Sequence, residues 1–162
     1  MELYFLRHGI AEDSAETDFA RRLTEEGRAK CRAAARGLQQ LEVEPTHVLT
    51  SPLVRAKETA ALVAPGHAVT ECSALANHPP AELIGELREL PREASVLLVG
   101  HEPQFSATIE LLLGMEGRGL VDMKKAGLAH LTVDLKAWPA APAVLHSFLT
   151  PRQLRQIGAA SD

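Results

Sequence analysis

Three short stretches carry residue types that can handle a phosphoryl group: Arg7-His8-Gly9, Ser51-Pro52-Leu53-Val54-Arg55 and Gly100-His101-Glu102-Pro103. A phosphoryl group in transfer spreads negative charge over three equatorial oxygens. It needs fixed cationic donors around them and a nucleophile in line with the leaving group. Arg7 and Arg55 offer forked guanidinium donors that each hold two oxygens and stay charged. His8 offers a ring nitrogen that attacks phosphorus when neutral, and neighbouring arginines favour the neutral ring. Gly9 leaves room for backbone and phosphate to approach, and His101, at a helix start, can donate to a phosphoryl oxygen along with the helix dipole. Each residue also has a plainer role. Arg7 can pair with a carboxylate at a sheet edge, Arg55 can sit solvated on a first helical turn, and the two histidines can be structural or bind metal. Metal is disfavoured by the adjacent arginines and by the lack of cysteines or paired carboxylates at ligand spacing.

These stretches need a scaffold that brings them together, and the apolar pattern supplies one. Glu2–Leu6, Thr46–Thr50, Ala68–Cys72 and Ser95–Gly100 are short apolar runs of the kind found in parallel strands covered on both faces. Thr24 predicts the cap of a helix in which Cys31, Ala34, Leu38 and Leu41 recur at three- and four-residue steps. Ser51-Pro52 predicts an N-cap and N1 proline for a helix running to about Val63. Leu83, Ile84, Leu87 and Leu90 mark another helix; Phe105, Ile109, Leu112 and Leu113 mark the next, from Pro103 to Gly114. Leu128–Leu135 alternates, with Leu131, Val133 and Leu135 on one face, which predicts a half-exposed strand at a sheet edge. A strand over Val144–Leu149 and a short helix after Pro151 complete the chain. Strands alternating with helices predict right-handed βαβ units. The expected fold is a three-layer α/β/α domain spanning residues 1–162, with a mostly parallel central sheet and an antiparallel edge strand. In such sheets ligands bind at the carboxyl ends of strands, and each of the three motifs follows a strand directly.

With LRHG at 6–9, Arg21 followed by Leu23-Thr24, SPLVRAKETA at 51–60 and VGHEP at 99–103, the chain resembles the histidine phosphatase superfamily, especially its short SixA-like phosphohistidine phosphatase branch. The resemblance spans nearly the whole chain and implies a phosphoglycerate-mutase-like fold. It implies that His8 is the nucleophile, carrying a covalent phosphohistidine, and that Arg7, Arg55 and His101 complete the catalytic pocket. It also puts Arg21 near that pocket. The branch usually has Arg-Pro-Leu-Thr where this chain has Arg21-Arg22-Leu23-Thr24, so either arginine can face inward. Many members of the wider superfamily place a carboxylate after the third strand to protonate an alkoxide leaving group, but Ser73–Pro80 contains no Asp or Glu. Imidazole, whose conjugate acid titrates near ~6.5, departs with little help, so phosphohistidine suits a site without a dedicated acid. Glu102, Glu12 and His78 are fallback donors. The implied partner is a phosphohistidine-bearing protein, either a phosphotransfer domain or a phosphocarrier. The rival readings are a phosphatase of a small sugar or nucleotide phosphate and a non-catalytic module that binds phosphoproteins.

Composition narrows the classes further. The 17 Lys+Arg against 21 Asp+Glu give a net charge of -4, which offers no general attraction to nucleic acid or an anionic membrane. No apolar run approaches ~20 residues and the first residues do not read as a cleaved leader, so a cytoplasmic setting is expected. The two cysteines suit a reducing compartment, with Cys31 on an apolar helical stripe and Cys72 at a strand end. No Walker A, Gly-x-Ser-x-Gly or dinucleotide fingerprint is present, and no cofactor is expected. His47, His67, His130 and His146 fall away from the predicted edge. The segment from Gly114 to Gly127 reads either as a rim meeting substrate through Lys124 or Lys125 or as a solvated connection.

Overall fold

Strand β1 (Glu2–Arg7) begins the sheet, and the chain then alternates helix and strand: α1 (Glu25–Gln40), β2 (His47–Thr50), α2 (Val54–Val63), β3 (Val69–Glu71), α3 (Pro80–Arg88), β4 (Ser95–Gly100) and α4 (Gln104–Leu112). It closes with β5 (Leu128–Thr132), β6 (Val144–Leu149) and α5 (Pro151–Ala159). The computed structural model describes residues 1–160. The six strands form one sheet in the order β3-β2-β4-β1-β5-β6. β1, β2, β3 and β4 pair in parallel, whereas β5 is antiparallel to both β1 and β6. β5 is thus the one strand of the sheet that runs the other way.

Alternation within the strands splits the core in two. Leu3, Phe5, Val96, Leu98, Ala129 and Leu131 pack with Leu83 and Leu87 of α3 and Phe105, Ile109 and Leu112 of α4. Leu6, Val48, Leu97 and Val99 pack with Cys31, Ala34 and Leu38 of α1, Ala60 and Val63 of α2 and Leu154 of α5. The layers are therefore helix, sheet and helix. Phe5 and Phe105 meet edge to face at 5.1 Å across one interface, a geometry that adds to simple area burial. On the opposite layer α1 and α5 cross closely: a Cβ on Gly37 would lie 2.2 Å from the Leu154 carbonyl oxygen.

The capped starts of α1 and α5 follow the sequence rules. Thr24 Oγ1 accepts from the Gly27 N–H at 2.9 Å, and Glu25 and Glu26 place negative charge at the positive end of the α1 dipole. Thr150 and Gln153 form a reciprocal capping box. Four expectations need correction. The helix after β2 starts at Val54 with Leu53 at its cap, so Ser51-Pro52 lies in the turn before it. β3 is fully exposed along its length because it is the sheet edge rather than a covered interior strand. β5 is shorter than the alternating run and lies inside the sheet; the edge role passes to β6, although Val133 and Leu135 beyond it remain buried as their spacing implied. Leu41, the last member of the α1 stripe, is an exposed C-cap residue.

Candidate active site

The carboxyl ends of β1, β2 and β4 lie side by side, and with them the three motifs. β1 and β4 are direct neighbours in register, Arg7 opposite Gly100, so the residues that follow them, His8 and His101, meet with ring centroids 4.9 Å apart. Both are buried, at 6% and 2% exposure, and neither ring is hydrogen-bonded to a carboxylate among the described residues.

Each ring has its protons placed by a neighbour. His8 Nδ1 lies 2.7 Å from the Gly9 carbonyl oxygen, which can only accept, so Nδ1 carries the hydrogen and the lone pair of a neutral ring is on Nε2. Burial, then the His101 ring, then Arg55 and Arg7 push the His8 pKa down to about 3, against the Gly9 hydrogen bond, which favours the protonated form. The ring is therefore neutral and nucleophilic at ordinary pH. His101 Nε2 lies 2.8 Å from Ser51 Oγ. Ser51 Oγ also accepts from the Leu53 N–H at 3.3 Å, and its own hydrogen has no other acceptor among the described residues; with that hydrogen on Nε2, the His101 proton is on Nδ1. That Nδ1 is buried with no partner, an unspent donor. Burial and then Arg55 lower the His101 pKa to about 4, with Asp18 opposing and Arg7 adding to the fall.

The arginines are set by main chain from elsewhere in the fold. Arg7 NH1 donates to the Met123 carbonyl at 2.6 Å, and its Nε is buried without a partner. Arg55, buried to 6% exposure on the first turn of α2, donates to the Asp18 carbonyl at 2.7 Å and to Asp18 Oδ2 at 2.9 Å. The same carboxylate takes Arg21 NH1 at 2.9 Å, and these two arginines hold the Asp18 carboxyl below its usual range. Arg21 is therefore joined to the site, whereas Arg22 turns away to Glu58 at 2.8 Å.

Gly9 is fixed by its backbone and by the space its missing side chain leaves. Its N–H is spent on Thr59 Oγ1 at 3.1 Å and its carbonyl on His8, and a Cβ there would lie 2.5 Å from Cys31 Sγ and 3.2 Å from Leu23. The missing side chain thus lets the loop settle on α1, and the Gly9 carbonyl orients the histidine ring. Cys31 is a fully buried core residue directly beneath.

Of the fallback donors, Glu12 is exposed near Arg22 and exposed His78 pairs with Glu82 at 2.7 Å. Glu102 is half-buried with Oε1 unpartnered, and burial raises its carboxyl pKa despite the opposing pull of Ser106 and Arg7. His47 and His67 lie away from these groups, and His130 and His146 sit on β5 and β6. Three supports had no clear signal in the sequence. Ser51 reads as a helix cap, Asp18 lies in a stretch without periodicity, and Thr59 Oγ1 ties α2 to Gly9 while donating to the Arg55 carbonyl at 2.7 Å. A fourth, Glu110, is buried on α4 and accepts from the N–H groups of Gly119, Leu120 and Val121, which fixes the segment leading to Met123.

Comparisons with known proteins bear on the family and the fold. Residues 3–77 match the histidine phosphatase superfamily, branch 1. An uncharacterized protein of Picosynechococcus sp. is 36% identical over 140 residues, covering 81% of this chain and 84% of its own. The structure of the protein histidine phosphatase SixA complexed with tungstate is similar over 95% of this chain and 99% of its own, at 25% identity and a TM-score of 0.82. A phosphoserine phosphatase from Entamoeba histolytica, solved with 3-phosphoglyceric acid, shares the fold at 19% identity and a TM-score of 0.74, over 94% of this chain and 98% of its own. Among the described residues no helix is long and apolar enough to cross a membrane.

Proposed function

The chain belongs to the histidine phosphatase superfamily, and from that premise we propose that it hydrolyses phosphohistidine on a protein, in the cytoplasm, through a covalent intermediate on His8. The observation that carries this reading is a neutral His8, its Nε2 lone pair free, within the electrostatic reach of two arginines while the Ser73–Pro80 segment after β3 offers no carboxylate.

In the first step His8 Nε2 attacks phosphorus, and the substrate P–N bond breaks. Its electron pair leaves with the substrate imidazole, which departs as the neutral ring because its distal nitrogen already carries a proton. Arg7 and Arg55 hold the equatorial oxygens, with Arg21 behind them, and the unspent His101 Nδ1–H donates to a third oxygen as charge develops. In the second step water attacks phosphorus, the P–Nε2 bond breaks, orthophosphate leaves and His8 returns to its neutral form. The SixA likeness supports the choice of a protein-borne substrate on a phosphotransfer domain or phosphocarrier.

One observation favours a second reading, hydrolysis of a small phosphomonoester. The raised Glu102 carboxyl, near enough to Arg7 to feel its charge, is a protonatable group that could serve an alkoxide leaving group. A single-turnover assay with a phosphorus-32 phosphohistidine protein tests the main reading. Acid-labile, base-stable label is expected to appear on the wild type and then be released, and to be absent from His8→Ala. Full hydrolysis by His8→Ala would overturn the mechanism, and a far higher kcat/KM on one small phosphomonoester would select the second reading.

A further inference from the structure

A pocket of about 480 Å³ opens beside Arg7, outside the ring of His8, Arg55 and His101. Five cations line it: Arg7, Lys30 of α1, Lys124 and Lys125 of the α4–β5 connection, and Arg155 of α5, with no carboxylate in the lining. In a chain of net charge -4 this gathering runs against the composition. Glu26 holds Lys30 at 2.5 Å and Asp122 holds Lys124, but Lys125 and Arg155 have no carboxylate partner among the described residues. None of the lining residues is fully buried, so the pocket lacks the enclosed, convergent donors that grip a small molecule.

Two exposed apolar side chains lie in segments tied to the site arginines. Leu120, 65% exposed, stands in the Glu110-anchored segment that leads to Met123 and Arg7. Phe19, 50% exposed, follows Asp18, which holds Arg55. Cations without carboxylate partners around an open, partly exposed pocket suit the acidic face of another protein better than an enclosed small molecule. Resting on the reading that His8 acts on protein-borne phosphohistidine, we propose that this pocket is the docking surface for the phosphorylated protein. Acidic side chains near the phosphohistidine of that protein pair with Lys125 and Arg155.

The test compares wild type with Lys125→Ala/Arg155→Ala and Lys125→Glu/Arg155→Glu on two substrates. One is a histidine-containing phosphotransfer domain carrying phosphohistidine; the other is phospho-imidazole, which reaches only the phosphate site. The expected result is a fall in kcat/KM of about tenfold on the protein for the alanine variant and more for the charge reversal, carried by KM, with a weaker salt dependence. Turnover of phospho-imidazole reports that the variants are folded and the phosphate site intact. Undiminished kcat/KM on the protein, or an equal loss on both substrates, would overturn the docking surface. It would also be overturned if pyrophosphate inhibited wild type far more tightly than orthophosphate and the alanine variant erased that difference, because the pocket would then serve a second phosphate of a small molecule. A wild type that turns over neither substrate would instead refute the function on which the inference rests.

Discussion

His8 and His101 stand with ring centroids 4.9 Å apart, and so do His130 and His146 on β5 and β6 of the same sheet. Separation alone does not distinguish them. Around the first pair the neighbours are cations and carbonyls, burial is nearly complete, and both rings are driven to the neutral form. Around the second pair the neighbours are partners. His130 stacks on Tyr4 at 4.3 Å and meets the Glu2 carboxylate, while exposed His146 bonds the Thr132 hydroxyl at 2.8 Å. One pair has its unspent nitrogen atoms in a buried cationic setting, and the other lies nearer the surface against a carboxylate and a hydroxyl. Reactivity follows the unsatisfied groups that the fold is made to tolerate.

The largest effect that would break this contrast is on turnover. His8→Asn is expected to lower kcat by roughly four orders of magnitude or more, whereas His130→Asn should leave kcat/KM within about twofold in steady-state assays. Comparable losses in both would erase the distinction. Next comes the donor: His101→Gln is expected to lower kcat about 10²- to 10³-fold. Ser51→Ala, which removes only the group that assigns the His101 proton, should cost about tenfold, read as kcat rather than KM.

A smaller effect is expected in stability against pH. The folded pKa values of His8 and His101, about 3 and about 4, lie below the ordinary histidine value near 6.5. Below that value the unfolded chain takes up protons that the folded chain refuses, so this contribution to stability is present above about pH 6.5 and declines as the pH falls toward 4. The thermal midpoint of wild type should therefore drop by roughly several degrees more between pH 7 and pH 5 than that of His8→Asn/His101→Gln. Equal drops would show that the rings are not held neutral. The smallest effect concerns what steadies the first pair. Gly9→Ala should destabilise the fold by about 1–3 kcal/mol in chemical denaturation, and Cys31→Ala in the same chain should recover part of the loss by clearing the 2.5 Å approach.

Much of this was legible in the chain before any coordinates. The apolar runs of β1, β2 and β4 and the stripes of α1, α3 and α4 have strong periods, and the motifs follow strand ends, where a parallel sheet must put them. What stayed hidden was long-range. Asp18 reaches Arg55 across 37 positions and Met123 reaches Arg7 across 116, and no local pattern marks either contact. Ser51 misled because Ser-Pro resembles a helix start, while its hydroxyl is claimed by a histidine 50 residues away. β3 misled because three residues cannot show which of their faces is covered.

The strand that runs against its neighbours has a consequence for how the site breathes. After α4 the chain is at the end of the sheet remote from the nucleophile, yet β5 begins beside Arg7, so the connection has to travel the length of the sheet. The wall that orients Arg7 through Met123 thus comes from a segment outside the strand ladders, fastened at Glu110. Its amides can exchange with solvent through a local opening while every strand stays paired. Loss of the Glu110 anchor would thus release the carbonyl that orients Arg7 without touching the Gly9 carbonyl that orients the attacking ring.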